Sequence, residues 1–138
     1  MARDELPRLA VHCPCVRDTV LTAVASRIGT DLLVSLSGGH EPHIGTVVLA
    51  EPCRRLHDPT HESVTVSVLN RAGHRDEVLA RAMATTMCAH CGQAVVVTAG
   101  IHIHQADAAE ISAITTAGRS LGNQLLQAME DAGWHQSI

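Results

Sequence analysis

Hydrophobic positions along this chain change period several times, and those changes mark its elements. Residues 1–17 are polar and punctuated by proline, which predicts an irregular lead-in. Thr19 to Ile28 has strand character, and Gly29-Thr30-Asp31 reads as a tight turn into Leu32-Leu33-Val34-Ser35-Leu36-Ser37, so the two runs form a hairpin. Ile44 to Ala50 is an apolar run suited to a buried strand, and Glu51 to Glu62, with Pro52 and Pro59, reads as the longest loop. Ser63-Val64-Thr65-Val66-Ser67-Val68-Leu69 alternates polar and apolar, the signature of a half-buried strand.

The period then shifts from two to that of a helix. Val78, Leu79, Ala82, Met83, Thr86 and Met87 recur at helical spacing behind the acidic pair Asp76-Glu77. Gln93 to Ala99 is a short central strand reached by crossing over through that helix. A second helix starts at Asp107, with Glu110 placed to complete a capping box, and carries Ile111, Ile114, Leu121, Leu125 and Met129 on one face before Gly133 stops it. Gly118 and Gly122 inside it either break the helix or let a neighbour approach closely, and the pattern fits both.

The order strand, strand, strand, strand, helix, strand, helix implies one α/β (α+β) domain over residues 1–138. Its sheet is mixed and mainly antiparallel, with about five strands and two helices on one face. Little chain remains to cover the other face, so the expected cover is a second copy in a homodimer.

Composition narrows the possible partners. The 138 residues carry ten cationic side chains, all Arg, with a net charge of −4 and Trp134 as the single aromatic. Neither a basic stripe nor aromatic stacking platforms are present, which speaks against nucleic-acid binding. No apolar stretch is long enough for a membrane span and the first residues lack a signal-peptide core, so the expected location is the cytoplasm. Five cysteines make no obvious disulfide framework. Cys13, Cys15, Cys88 and Cys91 offer a zinc tetrathiolate as an option, against which stand the poor Cys13-Pro14-Cys15 spacing and the helical setting of Cys88.

Candidate chemistry concentrates in three glycine-histidine turns at the ends of apolar runs. These are Gly38-Gly39-His40-Glu41-Pro42-His43-Ile44-Gly45, Gly73-His74-Arg75-Asp76-Glu77 and Gly100-Ile101-His102-Ile103-His104. Imidazole serves as a neutral metal ligand, an acid or base near neutral pH, or a donor to phosphate. His43 at a sheet end is otherwise a histidine bonded to a loop carbonyl; His74 at a helix start is otherwise a solvated first-turn residue. His102 and His104 share one strand face and suit chelation, or else pair separately with a neighbouring strand and solvent. His12, His57, His61, His90 and His135 read as solvent-facing or structural. No Gly-x-Ser-x-Gly elbow and no evident acid pair point to hydrolytic chemistry.

These three segments resemble the signature stretches of the prenylated-flavin chaperone family, the LpdD-like small D subunits that accompany UbiD-type gallate and hydroxybenzoate decarboxylases. The similarity covers roughly residues 18–130. The resemblance implies a non-catalytic accessory protein that binds prenylated FMN and assists or protects a UbiD-type decarboxylase apo-protein. It implies cofactor-binding positions at Gly38, Gly39, His43, Gly73, His74, Arg75, Gly100 and His102. Because the flavin phosphate is anionic and the chain acidic, a local cation is needed: Arg75, a protonated histidine, or a divalent metal held by His43, His74 and His102. The flavin ring would rest on aliphatics, Met83, Met87 or a partner subunit, Trp134 being the one aromatic. The competing reading is a metal-dependent enzyme, a hydrolase or decarboxylase, using the same histidines with Asp76 or Glu77 as base. A third is a structural subunit whose histidines do nothing chemical.

Overall fold

Six strands form one sheet in the order β1-β2-β3-β6-β4-β5. They are β1 (Arg8–Pro14), β2 (Val20–Ile28), β3 (Asp31–Gly39), β4 (Thr46–Arg55), β5 (Asp58–Asn70) and β6 (Val95–His102), joined with two helices, α1 (Glu77–Cys91) and α2 (Ala108–Asp131). The structure is a computed structural model and describes residues 7–55, 58–72 and 76–134. Every pairing is antiparallel except β3 with β6. The fold is thus the anticipated mixed sheet with two helices, and the strand count is six.

The sixth strand is β1, where the sequence pattern predicts an irregular lead-in. Leu9, Val11 and Cys13 are half-buried and alternate with exposed Arg8, Ala10 and His12. That alternation lets the segment pair along β2 from Arg8↔Ser26 to Pro14↔Val20. The expected long loop at 51–62 is also mostly strand, since β4 and β5 pair onward through Glu51↔Thr65 to Cys53↔Ser63. Pro52 is tolerated because β4 meets β6 only over Thr46–Ala50, so beyond that point one side of β4 is an edge.

Both helices lie on one face. α1 packs on β4, β5 and β6, α2 packs on β1 and β2, and the helices touch each other. Alternate strand residues facing them, among them Leu21, Ala23, Val34, Leu36, Val48, Val97 and Ala99, are buried with Leu121, Leu125 and Met129 of α2 and Met87 of α1. α2 runs unbroken through Gly118 and Gly122. A Cβ on Gly118 would stand 2.9 Å from Leu79 of α1, so that glycine serves close helix approach. The Asp107–Glu110 capping box forms as predicted, with the Glu110 amide donating to Asp107 at 2.8 Å and the Asp107 amide donating to Glu110 at 3.3 Å. Trp134 is buried in the core. No helix among the described residues is long and apolar enough to cross a membrane.

Candidate functional site

The parallel pair decides where the site lies. β3 and β6 run side by side to Ser37↔Gly100, Gly38↔Ile101 and Gly39↔His102, so the first and third glycine-histidine segments leave the sheet at the same edge. β4 begins at that edge, with Thr46 paired both to Ala99 and to Asn70 at the end of β5. The connection from β5 then delivers Asp76 and the start of α1. Of the middle segment, Gly73, His74 and Arg75 lie outside the described residues, while Asp76 and Glu77 are described.

Close backbone crossings hold this edge together. The space in front of Gly38 is taken by Val20, that in front of Gly39 by the His102 carbonyl, and that in front of Gly100 by the His43 carbonyl. These glycines therefore admit neighbouring chain. The amides of His40 and Gly45 donate to His102 at 2.7 Å and Ala99 at 2.8 Å. Thr46, the buried polar residue at this edge, donates to Asn70 at 2.7 Å, and Asn70 in turn donates to Glu77 at 2.8 Å. That bond and the one from Arg81 hold the Glu77 carboxyl below its ordinary pKa, Arg81 contributing most.

His43 and Asp76 form the inner pair. His43 Nδ1 lies 3.0 Å from the Glu41 carbonyl, and its Nε2 lies 3.3 Å from Asp76 Oδ2. The Ile101 amide donates to Asp76 Oδ1 at 3.1 Å. Asp76 also occupies the N-cap of α1 without its side chain bonding that helix, so the carboxylate ties α1 to β6 and leaves the first-turn amides without a side-chain cap.

His102 joins an outer cluster beside this pair. The His40 and His104 rings stack at 4.6 Å and 3°, and His102 meets His104 edge-on at 5.3 Å. The His104 amide donates to His40 Nδ1 at 3.0 Å. Loss of solvent around its ring, then repulsion from His104, Arg17 and His102, lowers the His40 pKa below the ordinary imidazole value. Arg17 binds Glu110 at 2.7 Å and donates to the His104 carbonyl, which fastens the 3-10 turn Val16–Asp18 to the start of α2. Arg17 itself sits at φ 52, a left-handed conformation that this bidentate clamp sustains.

Inner pair and outer cluster flank a groove of about 450 Å³ between the sheet edge and the first turns of both helices. Its lining is His43, Asp76 and His102 together with the aliphatics Val78, Leu79, Ile101, Ile111 and Ile114. Val78 and Ile111, 68% and 56% exposed, give the groove an accessible apolar wall. Met83 and Met87 instead line a second hollow of about 350 Å³ between α1 and α2, which shares Leu79 with the groove.

The structure places His43 and His102 on the lining of one groove; His74, the third member of the expected metal set, lies outside the described residues. Among the described residues, the donors that come within reach of a single ion are Glu41, His102 and His104. Cys13, Cys15, Cys88 and Cys91 form no such group, and burial first of all pushes the Cys88 thiol up to about 11. The exposed His12 lies 3.0 Å from Thr22 and His90 lies 3.2 Å from Glu130; His57, His135 and the side chain of His61 lie outside the described residues. Sequence reasoning missed Arg17 and the roles of Glu41 and Asp76, because these follow from the β3–β6 register and not from local spacing.

A mixed sheet backed by two helices is a fold found in another solved structure. The chain is similar in fold to a solved structure described as a novel chaperone complex for yeast 20S proteasome assembly, with a TM-score of 0.52, 16% identity, and coverage of 90% of this chain and 96% of that one. At that identity the likeness is one of fold alone. The family model of the prenylated flavin chaperone LpdD-like domain matches residues 16–130, and the chain belongs to that family. A relative, Protein LpdD of Lactiplantibacillus plantarum (strain ATCC BAA-793 / NCIMB 8826 / WCFS1), is 28% identical over 109 residues, covering 77% of this chain and 74% of that protein.

Proposed function

We propose that this chain carries prenylated FMN in the groove and delivers it to, or protects it for, a UbiD-type decarboxylase apo-protein in the cytoplasm. The observation that carries the reading is the groove itself, where the His43 and His102 segments of a prenylated-flavin chaperone meet a wall of aliphatics. Its volume falls within the roughly 300–1,000 Å³ usual for small-molecule sites. Val78, Leu79, Ile111 and Ile114 offer the flat ring and its prenyl addition a surface with no aromatic stacking, a loose hold that suits a carrier required to let go. The phosphate is assigned to His43, His74, Arg75 and His102, beside the first-turn amides of α1. Gly38, Gly39 and Gly100 shape that edge, and Gly73 is assigned to cofactor binding with them.

Carriage stands ahead of a metal-dependent hydrolase or decarboxylase for one reason. The metal alternative needs a free base beside its ligands, and Asp76, its nearest candidate, is engaged by His43 and by the Ile101 amide. A second copy of the chain, packed on the sheet face opposite the helices, completes the proposal as a homodimer.

Anaerobic titration of the purified protein with FMN and with prenylated FMN, followed by absorbance, tests the assignment. Selective binding of the prenylated form is expected. His43→Ala, His74→Ala and His102→Ala should each weaken it about tenfold or more, the value of a lost charge-assisted hydrogen bond. Unchanged affinity in all three variants would sink the site.

A further inference from the structure

The outer cluster holds a donor set of which carriage of a flavin uses His102 alone, leaving Glu41 and His104 unassigned. Glu41, His102 and His104 bring a carboxylate oxygen and two ring nitrogens within 4.8 Å of one another, and all three side chains are exposed. We propose that these three residues form a binding site for one first-row divalent transition-metal ion, with the remaining coordination positions open to solvent. The inference shares His102 with the flavin reading but needs no flavin, and Glu41 and His104, which that reading does not use, tell the two apart.

Three observations support it. First, the donor types discriminate: two imidazoles with one carboxylate suit zinc, iron, cobalt or nickel, whereas magnesium and calcium favour all-oxygen sets. Second, the backbone beneath the donors is fixed. The His102 carbonyl accepts from the amides of both His40 and Glu41, at 2.7 and 3.4 Å, so the two segments that supply the ligands are tied at the point where they face each other. The stacked His40 ring, bonded through Nδ1 to the His104 amide, sets the plane of the His104 imidazole, and Arg17 pins the His104 carbonyl behind it.

Third, the closure required is small. Ligand atoms around a tetrahedral zinc ion stand about 3.3 Å apart when metal–ligand bonds are near 2.0–2.1 Å. Closure from 4.8 Å or less then falls to side-chain torsions of the exposed Glu41 and His102, His104 being held by His40. A three-ligand site of this kind leaves room for water or an exogenous ligand, and because His102 also lines the groove, the ion would stand at the groove's rim.

Titration of the chelator-stripped protein with Co²⁺ and Zn²⁺, by calorimetry and by visible absorbance of cobalt, tests the site. One ion per chain is expected, with a cobalt spectrum free of sulfur charge-transfer bands. His102→Ala and His104→Ala should each weaken binding by about tenfold or more and Glu41→Gln several-fold, in the range that loss of a metal-site group produces. His12→Ala, at the remote β1–β2 pairing, should leave affinity unchanged. Absence of saturable binding by the wild-type protein would overturn the proposal. So would affinity that survives the His102→Ala/His104→Ala double substitution, or a thiolate-to-cobalt band showing that cysteines hold the ion.

Discussion

Leu33 and Leu36 sit on the same strand, three residues apart, and belong to different environments. Leu36 faces the helices and is 1% exposed; Leu33 faces away and is 41% exposed. The contrast extends along the sheet. Toward the helices lie close-packed aliphatics, while the other face mixes Val24, Leu33, Val96 and Leu49 with Thr22, Ser26, Ser35 and Thr98, none of them fully buried. Alternation along the strands is the same on both sides; burial follows the helices. One face is a finished core, and the other is a surface apolar enough to accept a partner and polar enough to tolerate water.

The sharpest way to probe this difference is to truncate both leucines. Leu36→Ala is expected to cost about 2–5 kcal/mol in urea unfolding, through lost burial and a residual cavity. Leu33→Ala should stay within about 0.5 kcal/mol in the isolated chain. For the homodimer, wild-type protein is expected to sediment as a dimer at micromolar concentration and Leu33→Asp as a monomer. A wild-type monomer would remove the second copy from the proposal.

Next in size comes the sheet edge. A methyl group on Gly100 meets the His43 carbonyl, so Gly100→Ala should cost about 1–3 kcal/mol by overpacking. The same variant should also lose flavin binding as His43 is displaced. Asp107→Ala, which removes the α2 cap, is expected to lower stability by about 1 kcal/mol without disturbing the groove-facing pair His43–Asp76.

The smallest effect is pH-dependent. The folded His40 pKa lies below the ordinary 6.5, so the unfolded chain takes up this proton more readily than the folded one. Its contribution to stability is therefore present above pH 6.5 and lost as pH falls through the lowered folded value. His40→Gln should remove that part of the decline in a melting-temperature series taken from about pH 8 to about pH 5.

Where a residue's surroundings were local, the sequence was legible. The alternation of Ser63–Leu69 marks β5, and the three-residue spacing of Asp107 and Glu110 marks the cap that forms. Prolines misled in two places: Pro7 and Pro14 hid the short alternation of β1, and Pro52 hid an edge that only the strand order creates. In the site, His43 and His102 announced themselves through their glycine turns. Asp76 stood out as a candidate base, but its bonding did not, because its bond to the Ile101 amide spans 25 residues and exists only once β6 has slotted between β3 and β4. The choice at Gly118 likewise needed Leu79 of another helix to decide it.

The Arg17–Glu110 clamp joins residues 93 positions apart. A contact of that span carries a large loop-closure entropy and is favoured only after the intervening sheet has brought its ends together. The rim that it braces, His104 included, is therefore among the last parts of the molecule to form.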